Sequence, residues 1–115
     1  MTAKTSLDAL VRTHLDAARR SSAGRSAHTV TGGHDHTLRQ TLIALVGGQE
    51  LDEHENPGEA TVQVLHGRVR LVAGPHSWDG RRGDLLVVPP GTHRLVADAD
   101  AAVLLTVAKL DHRRR

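Results

Sequence analysis

Residues 48–67, GQELDEHENPGEATVQVLHG, decide the fold. Residues 50–54 read as a strand, Asn56-Pro57-Gly58-Glu59 as a tight turn, residues 60–65 as a second strand and Gly67 as its stop. Strand side chains alternate between two faces. Ala60, Val62 and Val64 therefore share one face and line an interior with small apolar groups, while Gln63 turns to the other. His54 stands at the lip of this hairpin, where a side chain can point into whatever the sheet encloses. Residues 83–95, GDLLVVPPGTHRL, repeat the grammar and place His93 just past a Pro89-Pro90-Gly91 corner. Proline has no donor for a sheet ladder, so the pair ends a strand.

Outward from these stretches, further strand-like runs fall at residues 27–30, 37–46, 68–73, 85–88, 93–97 and 101–108. Gly32-Gly33, Gly47-Gly48, Gly74-Pro75 and Asp79-Gly80 separate them as turns. Short strands at this spacing predict a β-sandwich or a small barrel. The chain has no Phe or Tyr, so its core is built from Val, Leu, Ile and Ala, many of them β-branched and suited to sheets. Arg68 and Arg70 alternate with Val69 and Leu71 and share a solvated outer face. Trp78, the single aromatic, sits in a turn-rich stretch (residues 76–80), covering one end of the sheet or standing at a cavity mouth.

Residues 5–20 read as a helix. Leu7, Leu10, Val11, Leu15 and Ala18 form a narrow apolar stripe. Thr5 with Asp8 resembles a capping box. Asp8 near the start and Arg19-Arg20 at the end suit the helix dipole. Such a helix packs on its own β domain or on a partner subunit, and His14 on it reads as solvated. The organisation expected is a helix and linker over residues 1–25, a β domain over 26–110 and a basic tail, 111–115, that frays.

The 115 residues suffice for one domain with a core of its own. The net charge is +2 and the calculated pI about 9.9. The 15 basic residues include Arg113, Arg114 and Arg115; without them the 13 acidic residues outnumber the basic ones. A single-strand platform also needs stacking aromatics, so nucleic acid is not an expected partner. There is no cysteine, which excludes disulfides and thiolate chemistry. The opening MTAKTSLDAL lacks a basic segment followed by an apolar run, and no apolar run is long enough to span a bilayer. A soluble, cytoplasmic protein without a membrane partner is expected. Nothing resembles a nucleophile elbow, a phosphate loop or a zinc-finger spacing.

Taken together the two stretches resemble the cupin family, an all-β fold built as a small antiparallel barrel of jelly-roll type. The family's first motif is Gly, five residues, His-x-His, three or four residues, Glu, six residues, Gly. Here Gly48 and Gly67 keep the frame and His54 matches the first histidine, but Asn56 replaces the second and Ala60 stands where the glutamate belongs. The second motif is Gly, five residues, Pro-x-Gly, two residues, His. Gly83, Pro89-Pro90-Gly91 and His93 match it with a loop one residue shorter. The resemblance covers roughly residues 28–108; the N-terminal amphipathic helix lies outside it.

Metal-using cupins hold a divalent ion with three histidines and a carboxylate. The resemblance implies His54 and His93 as ligands, with Asn56 offering a weak carbonyl oxygen. His34-Asp35-His36 is a second His-x-His pair, and His36 or His34 completes the set if the strand after it opens into the barrel; a solvated pair after the Gly32-Gly33 turn is the other reading. Imidazoles suit Zn, Fe, Mn, Ni or Cu without distinguishing them. Arg39 and Gln40 point to opposite faces, so one of them reaches the cavity. Glu50, Asp52, Glu53, Glu55 and Glu59 surround His54 either as a solvated rim or as a cation-attracting set. The function implied is that of a small cupin domain that binds a divalent metal weakly, a small molecule inside the barrel, or both, without assured turnover. The alternative is a metal-dependent oxygenase or isomerase acting on a small organic substrate. Cupins commonly pair through their sheets, which implies a homodimer.

Overall fold

The computed structural model describes residues 4–55 and 58–109, and for residues 53–55 the backbone alone. At its centre β9 (Ala101–Lys109) runs antiparallel between β2 (Leu38–Leu45) and β4 (Gly58–His66). A strand covered on both faces reads as a continuous apolar run, and Ala101, Ala102, Val103 and Leu104 are all buried. β1 (Arg25–Thr31) extends this sheet beyond β2 and β7 (Leu85–Val87) extends it beyond β4, giving the order β1-β2-β9-β4-β7. The second sheet has the order β3-β8-β5-β6, from β3 (Glu50–Glu55), β8 (Thr92–Ala97), β5 (Arg68–Ala73) and β6 (His76–Arg81).

The sheets face each other across an aliphatic core. Ile43, Val62, Val64 and Val103 from the larger sheet meet Val69, Leu71, Leu95 and Ala97 from the smaller. Ala60, Val62 and Val64 are buried and Gln63 is exposed, as alternation requires. Arg68 and Arg70 lie on the outer face, and Arg70 pairs with Asp98 at 3.2 Å.

The outer face of the larger sheet carries α1 (Leu7–Arg20). Val11, Leu15 and Ala18 pack on Leu42, Ala44 and Ala102, so β2 buries both faces. Each such Val or Leu contributes about 1.5–3 kcal/mol by leaving water. The cap is Ser6, not the Thr5–Asp8 box: the Ser6 side chain accepts from the Ala9 N–H at 3.2 Å. That shift of one residue leaves Asp8 in the first turn. At the other end Arg19 Nε donates to Asp100 Oδ2 at 2.9 Å, while Asp100 Oδ1 accepts the Gly47 N–H, also at 2.9 Å. The Gly47 N–H, and then Arg19, hold the Asp100 carboxyl below its ordinary value. His14 is not simply solvated: its Nδ1 lies 2.7 Å from Ser26 Oγ on β1, and its ring is 5.3 Å from that of His28.

Two departures from the sequence reading have clear physical reasons. Residues 76–81 form β6 rather than a turn. This edge strand is held by its ladder to β5, and His76, Ser77, Trp78 and Asp79 are exposed, so no buried pattern marks it. Gly80 is buried, and a Cβ there would stand 3.0 Å from Leu86 and Val64; the glycine serves close approach, not a turn. β4 starts at Gly58, because Gly58 and Glu59 pair with Lys109 and Ala108. His28, His66 and His76 lie on β1, β4 and β6. Asn56, Pro57 and the tail 111–115 lie outside the described residues. Among the described residues, no helix is long and apolar enough to cross a membrane.

Candidate functional site

β3 and β8 position the candidate site. Gly91, with φ 92°, lets the chain turn after the two prolines and enter β8. Val96 lies on the face that carries the Glu50–Arg94 ion pair, while Ala97, Leu95 and His93 face the core. His93 is only 5% exposed, the one buried polar or charged residue among those described. It stands against Ile43, Leu51, Val62, Leu71, Leu95, Val103 and Leu105. The cavity that these residues enclose is about 20 Å³, room for about one water. His93 Nδ1 lies 3.5 Å from the Gly91 carbonyl oxygen, too long to fix the tautomer by itself.

The register of β3 against β8 explains how a second histidine arrives here. Glu50 pairs with Val96 and Leu51 with Leu95, and the register then shifts so that His54 pairs with His93. Strict alternation from Leu51 would have brought Glu53 opposite His93. A bulge inserts one extra residue and exchanges the faces. It therefore places His54 at the position that shares a face with His93, as directly opposite residues do in an antiparallel pair. The His54 side chain, like those of Glu53 and Glu55, lies outside the described residues, and so does Asn56.

The other candidates are spread around this point. His34 and His36 are exposed in the connection before β2, which begins only at Leu38, so the two do not share a strand face. The His36 N–H bonds the Gly33 carbonyl, and Lys109 Nζ donates to the His34 carbonyl at 3.0 Å. Gln40 donates to Thr106 Oγ1 at 3.1 Å on the outer face, whereas half-buried Arg39 occupies the inward register opposite Val107. Ala60 is buried in the core, where it supplies no donor atom. Of the acidic set, Glu50 pairs with Arg94 at 3.2 Å, and Asp52 and Glu59 are exposed. Among the described residues, no three His, Asp or Glu side chains gather where they could hold a metal ion.

The donor chemistry tests the metal that cupins use. Two imidazole positions, with Ala60 in place of a carboxylate and an aliphatic wall around His93, do not fit a tightly held four-ligand centre. No catalytic step through a metal can be derived from these residues.

Two facing antiparallel sheets of five and four strands, with a histidine on β8 just past the Pro-Pro-Gly corner, are the cupin fold; the chain is a small cupin-fold domain. Solved structures agree. A conserved Streptococcus pyogenes protein of unknown function is similar with a TM-score of 0.70 and 28% identity, over 79% of this chain and 79% of its own. An RmlC-like cupin from Desulfovibrio desulfuricans gives 0.67 and 24%, over 94% and 96%. A cupin superfamily protein from Desulfitobacterium hafniense gives 0.66 and 16%, over 74% and 79%. No protein-family model and no curated protein matches the chain.

Proposed function

We propose that this protein is a cupin-fold binding module rather than an enzyme, and that His54 and His93 hold a divalent metal weakly between them. The observation that carries the reading is the register shift in β3, which pairs His54 with His93 across the two strands, His93 being the one buried polar or charged residue among those described. Cross-strand partners have Cβ atoms about 5 Å apart, a separation from which two imidazoles can reach one ion. Without a carboxylate the pair selects metals only by the general preference of imidazole for Zn, Ni, Cu or Fe. A substrate beside the ion would need space, and the described interior around His93 leaves about 20 Å³.

The test is metal content and metal titration of protein purified without a histidine tag. As purified, it should carry far less than one metal per chain, and should bind Zn²⁺ or Ni²⁺ saturably on titration. His54→Ala and His93→Ala should each weaken that binding and together abolish it. One tightly held metal per chain that survives dialysis would overturn the module and favour the metal-dependent oxygenase or isomerase. Wild type that takes up no metal at all would remove the metal from the reading.

A further inference from the structure

The edges of the two sheets, β6 and β7, touch at Gly80 and part beside it, and we propose that this seam binds a small, uncharged, apolar molecule of ring size. The inference is independent of the histidine pair. Trp78 on β6 is directly opposite Leu71 on β5, so it sits on the inward-facing side of an edge strand. It is nonetheless 43% exposed. Leu86 on β7 is opposite Val62 and likewise turns inward, while Leu85 and Val87 stand on the outer side, 60% and 74% exposed. Gly80 brings the edges together, within 3.0 Å of Leu86 for a Cβ placed there. Beside that contact the edges part into a groove of about 330 Å³, lined by Leu71, Trp78, Leu85, Leu86, Val87 and Pro89. Its wall includes Leu71, a core residue 1% exposed.

Size and chemistry select the occupant. The groove holds about ten water-sized groups, at the lower end of ligand-pocket volumes. No charged side chain lines it, so a charged ligand would gain no ion pair there to offset the hydration it gives up. The chain's single aromatic residue offers a flat face for a ring. A second copy fits less well. The exposed parts of Trp78, Leu85 and Val87 amount to on the order of 300 Å² of apolar surface, against roughly 800 Å² per partner in a stable interface.

Trp78 makes the test direct, since without Tyr or a second Trp it alone carries the near-ultraviolet emission. The full chain is titrated with toluene, with benzoate as the charged control, and Trp78 emission is monitored. Toluene should shift the emission to the blue with saturation on the order of 0.1–1 mM, as expected for so small a ligand. Benzoate should act at least tenfold more weakly. Leu85→Asp and Val87→Asp, both on exposed positions, should weaken toluene binding at least tenfold. A second measurement, which needs no variant, tracks amide and indole N–H resonances. The Trp78 indole and the β7 amides should move with toluene, and the β1 amides should not. No saturable change up to the solubility limit of toluene, or an equal response to benzoate, would overturn the proposal. So would a dimer in light scattering that becomes a monomer in Val87→Asp, because a second copy would then be the occupant.

Discussion

Asp100 joins three segments of the chain, and removing its carboxylate should loosen all three together. Oδ2 accepts from Arg19 at the end of α1 and Oδ1 accepts from the Gly47 N–H between β2 and β3, each at 2.9 Å, just before β9 begins. A hydrogen bond to a charged group contributes about 1.5–3 kcal/mol when shielded, and an exposed ion pair about 0.2–1 kcal/mol. The side chains of Arg19 and Asp100 are 51% and 36% exposed, so solvent screening puts both contributions toward their lower ends. Asp100→Ala should therefore cost about 1–2 kcal/mol, a fall in Tm on the order of 4–10 °C for a domain of this size. Asp100→Asn keeps an acceptor for Gly47 and loses the charge, and should cost about 0.5 kcal/mol. The depressed carboxyl sets the sign of the pH dependence. Its stabilisation is fully present above the ordinary value of 3.8 and is lost as pH falls through the lower folded value. Urea unfolding monitored by far-UV circular dichroism should show a wild-type to Asp100→Ala difference that is constant near neutrality and shrinks below the ordinary carboxylate range. A difference under about 0.3 kcal/mol, below the worth of even an exposed pair, or one that persists unchanged in acid, would refute the joint.

Two further substitutions probe the frame. Gly67 has φ 76°, and a Cβ there would lie 2.0 Å from the Asp100 carbonyl oxygen. Gly67→Ala should cost at least about 3 kcal/mol, whereas Gly48→Ala, with φ 94° and nothing within 4 Å, should cost only the backbone strain of about 1–2 kcal/mol; equal unfolding midpoints would contradict the close approach. Leu15→Ala, at a side chain 5% exposed beneath α1, should cost about 2–4 kcal/mol by urea unfolding, and a loss under about 1 kcal/mol would mean the helix is not packed as described.

The fold was legible because the larger signals are local. Gly48 and Gly67 bracket two strands, the prolines at 89 and 90 end one, and the alternation of Ala60, Val62 and Val64 points to a single core. The helix stripe was legible for the same reason: Val11, Leu15 and Ala18 fall at helical spacing and bury together. β6 escaped because an edge strand carries no burial pattern, and Asp79-Gly80 looks like a turn when the glycine instead fits against Leu86. The candidate site was half legible. His93 was marked by the corner before it. The reason His54 falls opposite it was not, since a bulge is a property of strand pairing, and alternation from Leu51 points the wrong residue inward. His34 and His36 have a ligand-like spacing only on a strand, and they stand before one begins. The groove beside Trp78 depends on where two sheets fail to close, and local sequence carries no signal for that.

Thermal melting of untagged protein with and without chelator tests the central claim most directly. A weakly metal-binding module should melt within about 1 °C of the same temperature whether or not a chelator is present. Metal at roughly 100 times its dissociation constant adds about 2.7 kcal/mol, so Ni²⁺ at that excess should raise Tm on the order of 5–10 °C. That rise should vanish when both His54→Ala and His93→Ala are made. A fall of about 10 °C or more on adding chelator alone, comparable to losing a tightly bound ligand, would show that the native protein is built around a held metal and would contradict the account.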